Sequence, residues 1–319
     1  MKFSDRKTIF SIFILTGVLL IFFADSPQLK GFGSLRTELN IPDTGYVNRT
    51  YKLPEDVTFA GERMPLENFD TRESLEREII TSAYRHSSTI LIIKKANRYF
   101  PIIEKILREN NIPDDFKYLV AAESEFSNVV SPAGATGFWQ IMTATGREQG
   151  LEINDIVDER YHIEKATGFA CDYLRKSYEK FGSWTLAAAS YNGGRAAIDE
   201  QIRIQKQTNY YDLLLTEETA RYIFRVVAYK LVISDPKAYG FAIEPDELYS
   251  PLKYFEVKVD TAISDFSAFA GHFGTNYKLL KFLNPWLRKP YLRPRQGKVY
   301  TIKIPEEGMR NQDPSEAEN

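Results

Sequence analysis

Glu123 is the residue whose type and setting point most directly to chemistry. In P-D-D-F-K-Y-L-V-A-A-E (113–123), Phe116, Leu119, Val120 and Glu123 recur at i, i+3, i+4 and i+7, which is one face of a helix. The first three are apolar, so the carboxyl is aimed at the core side and not at bulk water. An apolar setting disfavours the charged form and raises the pKa of a carboxyl. A general acid working near neutrality needs that shift. A surface or ion-paired glutamate near a helix end fits the same spacing, so the face alone does not decide. Glu125 points elsewhere if the helix continues that far.

Other chemistries find little support. The chain has 319 residues, a formal net charge of −2, three histidines and one cysteine, Cys171. A lone cysteine cannot form an intrachain disulfide, and its place in a helical run suggests a buried, inert thiol. No histidine spacing such as H-E-x-x-H is present, which argues against a zinc or haem enzyme. No cofactor is expected. The near-neutral balance does not favour a nucleic-acid partner, which calls for a basic excess or a basic face.

The elements that must position Glu123 are mostly helical. Apolar periodicity predicts helix over 71–111, Pro113 opens the helix of Glu123 with Asp114 and Asp115 at its positive end, and further helices are predicted over 163–181, 184–191, 194–206 and 217–234. After Pro245 the texture changes to strand, helix, helix, strand over about 255–304, a small separate module. At the other end, Lys2, Arg6 and Lys7 precede an uncharged apolar run, 8–24. Basic residues before such a run mark an export signal. Its length and the poor small-x-small pattern near Ala24 favour an uncleaved inner-membrane anchor over a cleaved signal peptide. The expected organisation is 1–25 signal anchor or signal peptide, 26–56 linker, 57–245 catalytic domain, 250–306 module and 307–319 disordered tail.

The residues after Glu123 add a more specific signal. Glu123-Ser124 is followed by V-V-S-P-A-G-A-T-G-F-W-Q (129–140), A-S-Y-N-G-G (189–194) and E-T-A-R-Y (218–222). In order and spacing these resemble the motifs of the lytic transglycosylases of the lysozyme-like fold, especially the membrane-bound type D branch. R-Y-F-P-I-I-E (98–104) and I-P-D-D-F-K-Y-L (112–119) resemble that family's run-in, and the likeness covers about 57–243. Two departures stand out: the stretch between Glu123 and Ser131 is one residue shorter than in many relatives, and Ser190 replaces the usual alanine before Y-N. The resemblance implies a mainly α protein whose lysozyme-like helical catalytic domain carries a small α+β module.

It also implies roles by position. Glu123 matches the catalytic acid–base and Tyr191 the tyrosine beside it. Ser131, Gly137, Phe138, Trp139, Gln140, Asn192 and Tyr222 match substrate-binding positions, with 137–140 shaping the sugar floor. Each has a packing alternative: Trp139 and Tyr222 as core, Tyr191 with its hydroxyl satisfied locally, Gly193-Gly194 as a helix end. The implied substrate is the glycan strand of peptidoglycan, cut between N-acetylmuramic acid and N-acetylglucosamine with closure of a 1,6-anhydro ring. Most glycosidases need two carboxylates, whereas that lyase reaction needs one. The implied place is the periplasmic face of the envelope, anchored through 8–24. A hydrolytic muramidase of the goose-lysozyme type and a non-catalytic wall-binding protein are the alternatives.

Residues 254–305 resemble a divergent LysM module. D-T-A-I-S-D-F-S-A-F-A (260–270) and L-L-K-F-L-N-P (279–285) match its helices, and G-K-V-Y-T-I-K-I-P (297–305) its last strand. Val259 stands where a glycine is usual. The resemblance implies a glycan-binding unit, with a docking subdomain as the other reading.

Overall fold

The computed structural model describes residues 49–295 and 297–310. The anchor of 8–24, the linker up to 48 and the tail from 311 lie outside the described residues. Among the described residues no helix is long and apolar enough to cross a membrane. Residues 51–310 belong to one compact unit.

The chain is mainly α. A two-residue hairpin, β1 (Thr58–Phe59) and β2 (Glu62–Arg63), precedes helices α1 (Phe69–Tyr84), α2 (His86–Glu109), α3 (Lys117–Ser124), α4 (Thr143–Glu148), α5 (Ile163–Phe181), α6 (Trp184–Gly193), α7 (Arg195–Gln205) and α8 (Glu217–Ser234). The single helix predicted over 71–111 is two. Arg85 sits between them at φ −82°, ψ 51°, off the helical basin, and its N–H closes the last turn of α1 on Thr81. The expected linker also ends earlier than residue 56. Tyr51 packs on Tyr84 and Tyr239, and Leu53 is buried, so the arm already belongs to the core.

Helices α3, α6 and α8 carry the candidate site, and each is fixed by a distinct device. Phe116, Leu119 and Val120 of the α3 region are fully buried, which sets the rotation of the helix about its axis. The N-terminus of α6 is capped from outside: the Glu62 carboxylate accepts from the N–H groups of Trp184 (2.5 Å) and Thr185 (2.9 Å) and from the Ser183 hydroxyl (2.8 Å). A negative group there satisfies donors that a helix cannot pair internally. Helix α8 is tied to α1 by Arg221, which donates to the buried Glu78 at 2.7 Å.

The module consists of β3 (Tyr254–Val259), α9 (Phe266–His272), α10 (Tyr277–Leu283) and β4 (Tyr300–Pro305), with β3 and β4 antiparallel from Tyr254 opposite Pro305 to Val259 opposite Tyr300. Its core gathers Phe266, Leu280, Trp286, Leu292, Ile302 and Ile304. The expected module has an apolar cluster of its own and is docked on the helical domain. Val157 of the helical domain lies in the module's core, and the Asp158 N–H donates to the Trp286 carbonyl at 2.9 Å. The buried Glu152 accepts from the Tyr300 hydroxyl at 2.8 Å and pairs with Lys298, while Lys303 pairs with Glu164. The expected tail begins later than 307, because residues 307–310 form a turn with Met309 buried.

Candidate active site

Glu123 stands one residue from the end of α3. Its side chain is largely enclosed, and the Tyr222 hydroxyl donates to its Oε1 at 2.5 Å. Burial pushes the carboxyl up to about 7; the Tyr222 hydrogen bond and Arg225 oppose this, and nearby Glu218 adds to it. Desolvation wins over the hydrogen bond, so near neutrality the group is a mixture of acid and base.

Directly after the helix the chain turns sharply. Glu125 and Phe126 are both left-handed, at φ 51° and 53°. Two such non-glycine residues cost roughly 1–2 kcal/mol each. The turn is held by Arg85, which pairs with the Glu125 carboxylate at 2.5 Å, and by the Lys95 ammonium, which donates to the Glu125 carbonyl at 3.0 Å and the Ser127 hydroxyl at 2.7 Å. Glu125 is thus drawn away from Glu123. Phe126 is buried against Phe100 and Phe138.

The 129–141 loop lies against this helix end. Ser124 Oγ donates to the Phe138 carbonyl at 2.9 Å, and the Tyr191 hydroxyl donates to the Trp139 carbonyl at 2.7 Å. Gln140 clamps the loop by giving its amide to the Gly137 carbonyl at 2.8 Å. Ser131 closes the tip, where its hydroxyl accepts from the Ala135 N–H at 3.0 Å. Asn192 accepts from the Thr219 hydroxyl at 2.9 Å and donates to Glu218 at 3.3 Å, which joins α6 to α8.

Two expected sugar contacts take the packing reading instead. Trp139 is 0% exposed and gives its indole N–H to Thr167 at 2.8 Å, so its ring offers no face to a ligand. Tyr222 is 1% exposed and serves Glu123 from beneath. Both aromatics are large enough to be either floor or core, and only the tertiary packing separates the two. Phe138 is buried as well, packed edge-on against Tyr99 at 4.8 Å between ring centroids. Burial, with nearby Glu123 adding to it, holds the Tyr191 hydroxyl well above its ordinary range, and its proton is committed to the Trp139 carbonyl. Gly194, at φ 85°, ends α6. Cys171 is buried, its thiol pushed up to about 12 by desolvation. The sequence reading missed Ser124 as a loop anchor, Arg225 and Glu218 as charges that act on Glu123, and Arg160, whose guanidinium reaches the loop from behind. Among the described residues no cluster of His, Cys, Asp and Glu could hold a metal ion. A cavity of about 440 Å³ lies at the seam with the module, bordered by Phe138, Tyr161 and Trp286, and Glu123 does not line it.

The Tyr222 contact makes a prediction. Tyr222→Phe removes a donor that stabilises the ionised carboxyl, so the Glu123 pKa should rise above about 7. A hydrogen bond to a charged group is worth about 1.5–3 kcal/mol, so glycan cleavage at neutral pH should fall roughly ten- to hundred-fold. The falling limb of the pH–rate profile should move to higher pH, and a limb that moves down would contradict the assignment.

Comparison with known proteins places two domains on this geometry. Residues 100–214 match the Transglycosylase SLT domain, and residues 255–308 match the Soluble lytic transglycosylase C-terminal LysM-like domain. Glu123, Ser131, the 137–140 stretch, Tyr191 and Asn192 fall inside the first match, and Tyr222 falls beyond it. The membrane-bound lytic murein transglycosylase D of Escherichia coli K12 is 28% identical over 191 residues, covering 57% of this chain and 41% of the relative. The chain therefore spans about two fifths of that relative's length. Similar solved structures include the 70 kDa soluble lytic transglycosylase of Escherichia coli, 17% identical with a TM-score of 0.39, covering 59% of this chain and 32% of that one. An inactive mutant of the lytic transglycosylase Slt from Pseudomonas aeruginosa is 18% identical with a TM-score of 0.37, covering 58% of this chain and 36% of that one.

Proposed function

From a chain that carries an SLT transglycosylase domain joined to a LysM-like domain, we propose a peptidoglycan lytic transglycosylase with Glu123 as its single acid–base. The observation that carries this reading is a carboxyl raised to about 7 and clasped by one buried tyrosine. Protonated Glu123 donates to the oxygen that links N-acetylmuramic acid to N-acetylglucosamine, and the bond from C1 to that oxygen breaks. The muramyl N-acetyl group stabilises the cation at C1. Glu123, now a carboxylate held by Tyr222, takes the proton of the C6 hydroxyl, whose oxygen bonds to C1 and closes the 1,6-anhydro ring. The proton given in the first half is regained in the second, so no water is consumed. Tyr191, Ser131, Gly137, Phe138, Trp139, Gln140 and Asn192 shape the site around that sugar, with Phe138 and Trp139 acting through their carbonyls.

A hydrolytic reading draws on Glu218. It is exposed, near enough to raise the Glu123 pKa, and held by Asn192, so it is the second carboxylate available to activate a water. Mass spectrometry of sacculus digests separates the two. The lyase yields muropeptides ending in 1,6-anhydro-N-acetylmuramic acid, lighter by one water than hydrolysis products and inert to borohydride. Products with reducible ends alone would establish the hydrolase.

The basic residues and apolar run of 8–24 support an inner-membrane anchor that places the enzyme on the periplasmic face, where the glycan strands are.

A further inference from the structure

Four residues, Val157 to Arg160, run from the core of the module to the back of the 129–141 loop. Val157 is 1% exposed inside the module's apolar cluster, and the Asp158 N–H is bound to the Trp286 carbonyl. The Asp158 carboxylate takes two parallel bonds from Arg160, Nε to Oδ1 at 2.9 Å and Nη2 to Oδ2 at 2.7 Å. That leaves Nη1 facing the other way. It donates to Thr143 Oγ1 at 2.9 Å and to the carbonyls of Gly134 and Ile141, both at 3.3 Å. The Arg160 carbonyl also abuts Gly137 so closely that a Cβ there would lie 2.1 Å from it. The loop held in this way supplies the carbonyls of Phe138 and Trp139 to Ser124 and Tyr191, the neighbours of Glu123.

We propose that Arg160 is a positioning residue through which the docked module sets the 129–143 loop, and with it the groups that flank Glu123. The catalytic part of this rests on the reading of Glu123 as the acid–base. Asp158 and Arg160 are both buried. A buried ion pair recovers little more than its desolvation cost, so it selects a geometry more than it adds stability. The planar guanidinium suits the task because its nitrogens diverge in a fixed fork, gripping Asp158 on one side and the loop on the other. A lysine in its place keeps the charge and can serve only one side.

The test uses the full chain with Arg160→Lys, Val157→Ala and the double variant, read by amide hydrogen exchange and by kinetics on solubilised glycan strands. The amides of Thr136 and Gly137, bonded to Ile141 and Val129, report the loop. In Arg160→Lys they should exchange at least ten-fold faster, with kcat down roughly ten- to hundred-fold and KM within a few-fold, as a misplaced catalytic group would give. Val157→Ala lies on the module's side, in the module's apolar cluster and bridged to Leu287. It should nevertheless raise exchange in the loop and lower kcat, and it should add little once Arg160 is lysine. Unchanged loop exchange in Val157→Ala, or losses that add in full in the double variant, would overturn the proposal. A parent chain that cuts no glycan would remove the reading of Glu123 and leave the exchange data to decide whether Arg160 transmits docking.

Discussion

Glu123→Gln is expected to lower muropeptide release by ~10⁴-fold or more, because one group serves both half-reactions and general acid–base catalysis alone is commonly worth 10²–10⁴-fold. The amide keeps the size of the side chain and can still accept from the Tyr222 hydroxyl, but it cannot give a proton to a leaving oxygen. Stability should move the other way. The folded carboxyl titrates at about 7 against an ordinary 4.5, so between those values the folded chain holds a proton that the unfolded chain has released. Stability therefore falls as pH rises from 4.5 to about 7 and is flat above that, at a cost on the order of 3 kcal/mol. The variant should lose this slope and melt higher than the parent at pH 8, by calorimetry across pH 4–8. The parent's activity should decline through about pH 7 as the acid form is lost. Glu125→Gln is the comparison: that carboxylate is paired with Arg85 and turned away from Glu123, and its loss should leave cleavage within a few-fold of parental. Normal cleavage by Glu123→Gln would sink the acid–base assignment and the helix-face argument with it.

What the sequence made legible is what short-range pattern encodes. The i, i+3, i+4, i+7 spacing correctly turned Phe116, Leu119 and Val120 inward, and the helices over 163–181 and 217–234 begin and end where periodicity put them. Of the module's strands, β3 begins one residue before the expected Phe255 and ends at Val259 as expected, and β4 lies one residue beyond the expected 299–304. The break at Arg85 was not legible, because 71–111 is apolar at helical spacing on both sides of it and the turn is imposed by packing. Nor was the fate of Trp139 and Tyr222, whose size and amphipathic character suit a sugar floor as well as a core. Docking of the module was invisible for a different reason. Glu152 finds Tyr300 and Glu164 finds Lys303 across more than a hundred residues, and no local period carries such pairs. Arg160 escaped on the same ground, since an Asp-Glu-Arg run reads as solvated surface until the loop it supports is in view.

Gly137→Ala should be the most damaging small substitution outside Glu123. Gly137 has φ +80°, a conformation that costs an L-residue roughly 1–2 kcal/mol, and its Cβ would stand 2.1 Å from the Arg160 carbonyl oxygen and 3.0 Å from its carbon. Both atoms are backbone, so no side chain can swing aside. Either the 137–140 turn lifts or the segment at Arg160 retreats. If the turn lifts, the Phe138 and Trp139 carbonyls leave Ser124 and Tyr191. If Arg160 retreats, its bonds to Gly134, Ile141 and Thr143 open. A total of about 2–4 kcal/mol should lower the melting temperature by roughly 4–16 °C. Activity measured well below melting should still drop on the order of 10²-fold, because a misplacement near 1 Å is enough for that. Gly134→Ala separates strain from collision: at φ +87° it bears the same backbone cost, but nothing lies within 4 Å of its Cβ. It should lose about 1 kcal/mol and little activity. If the two alanine variants melt and cut alike, the close approach of Arg160 to Gly137 does not govern the loop, and the site must be held together by other contacts.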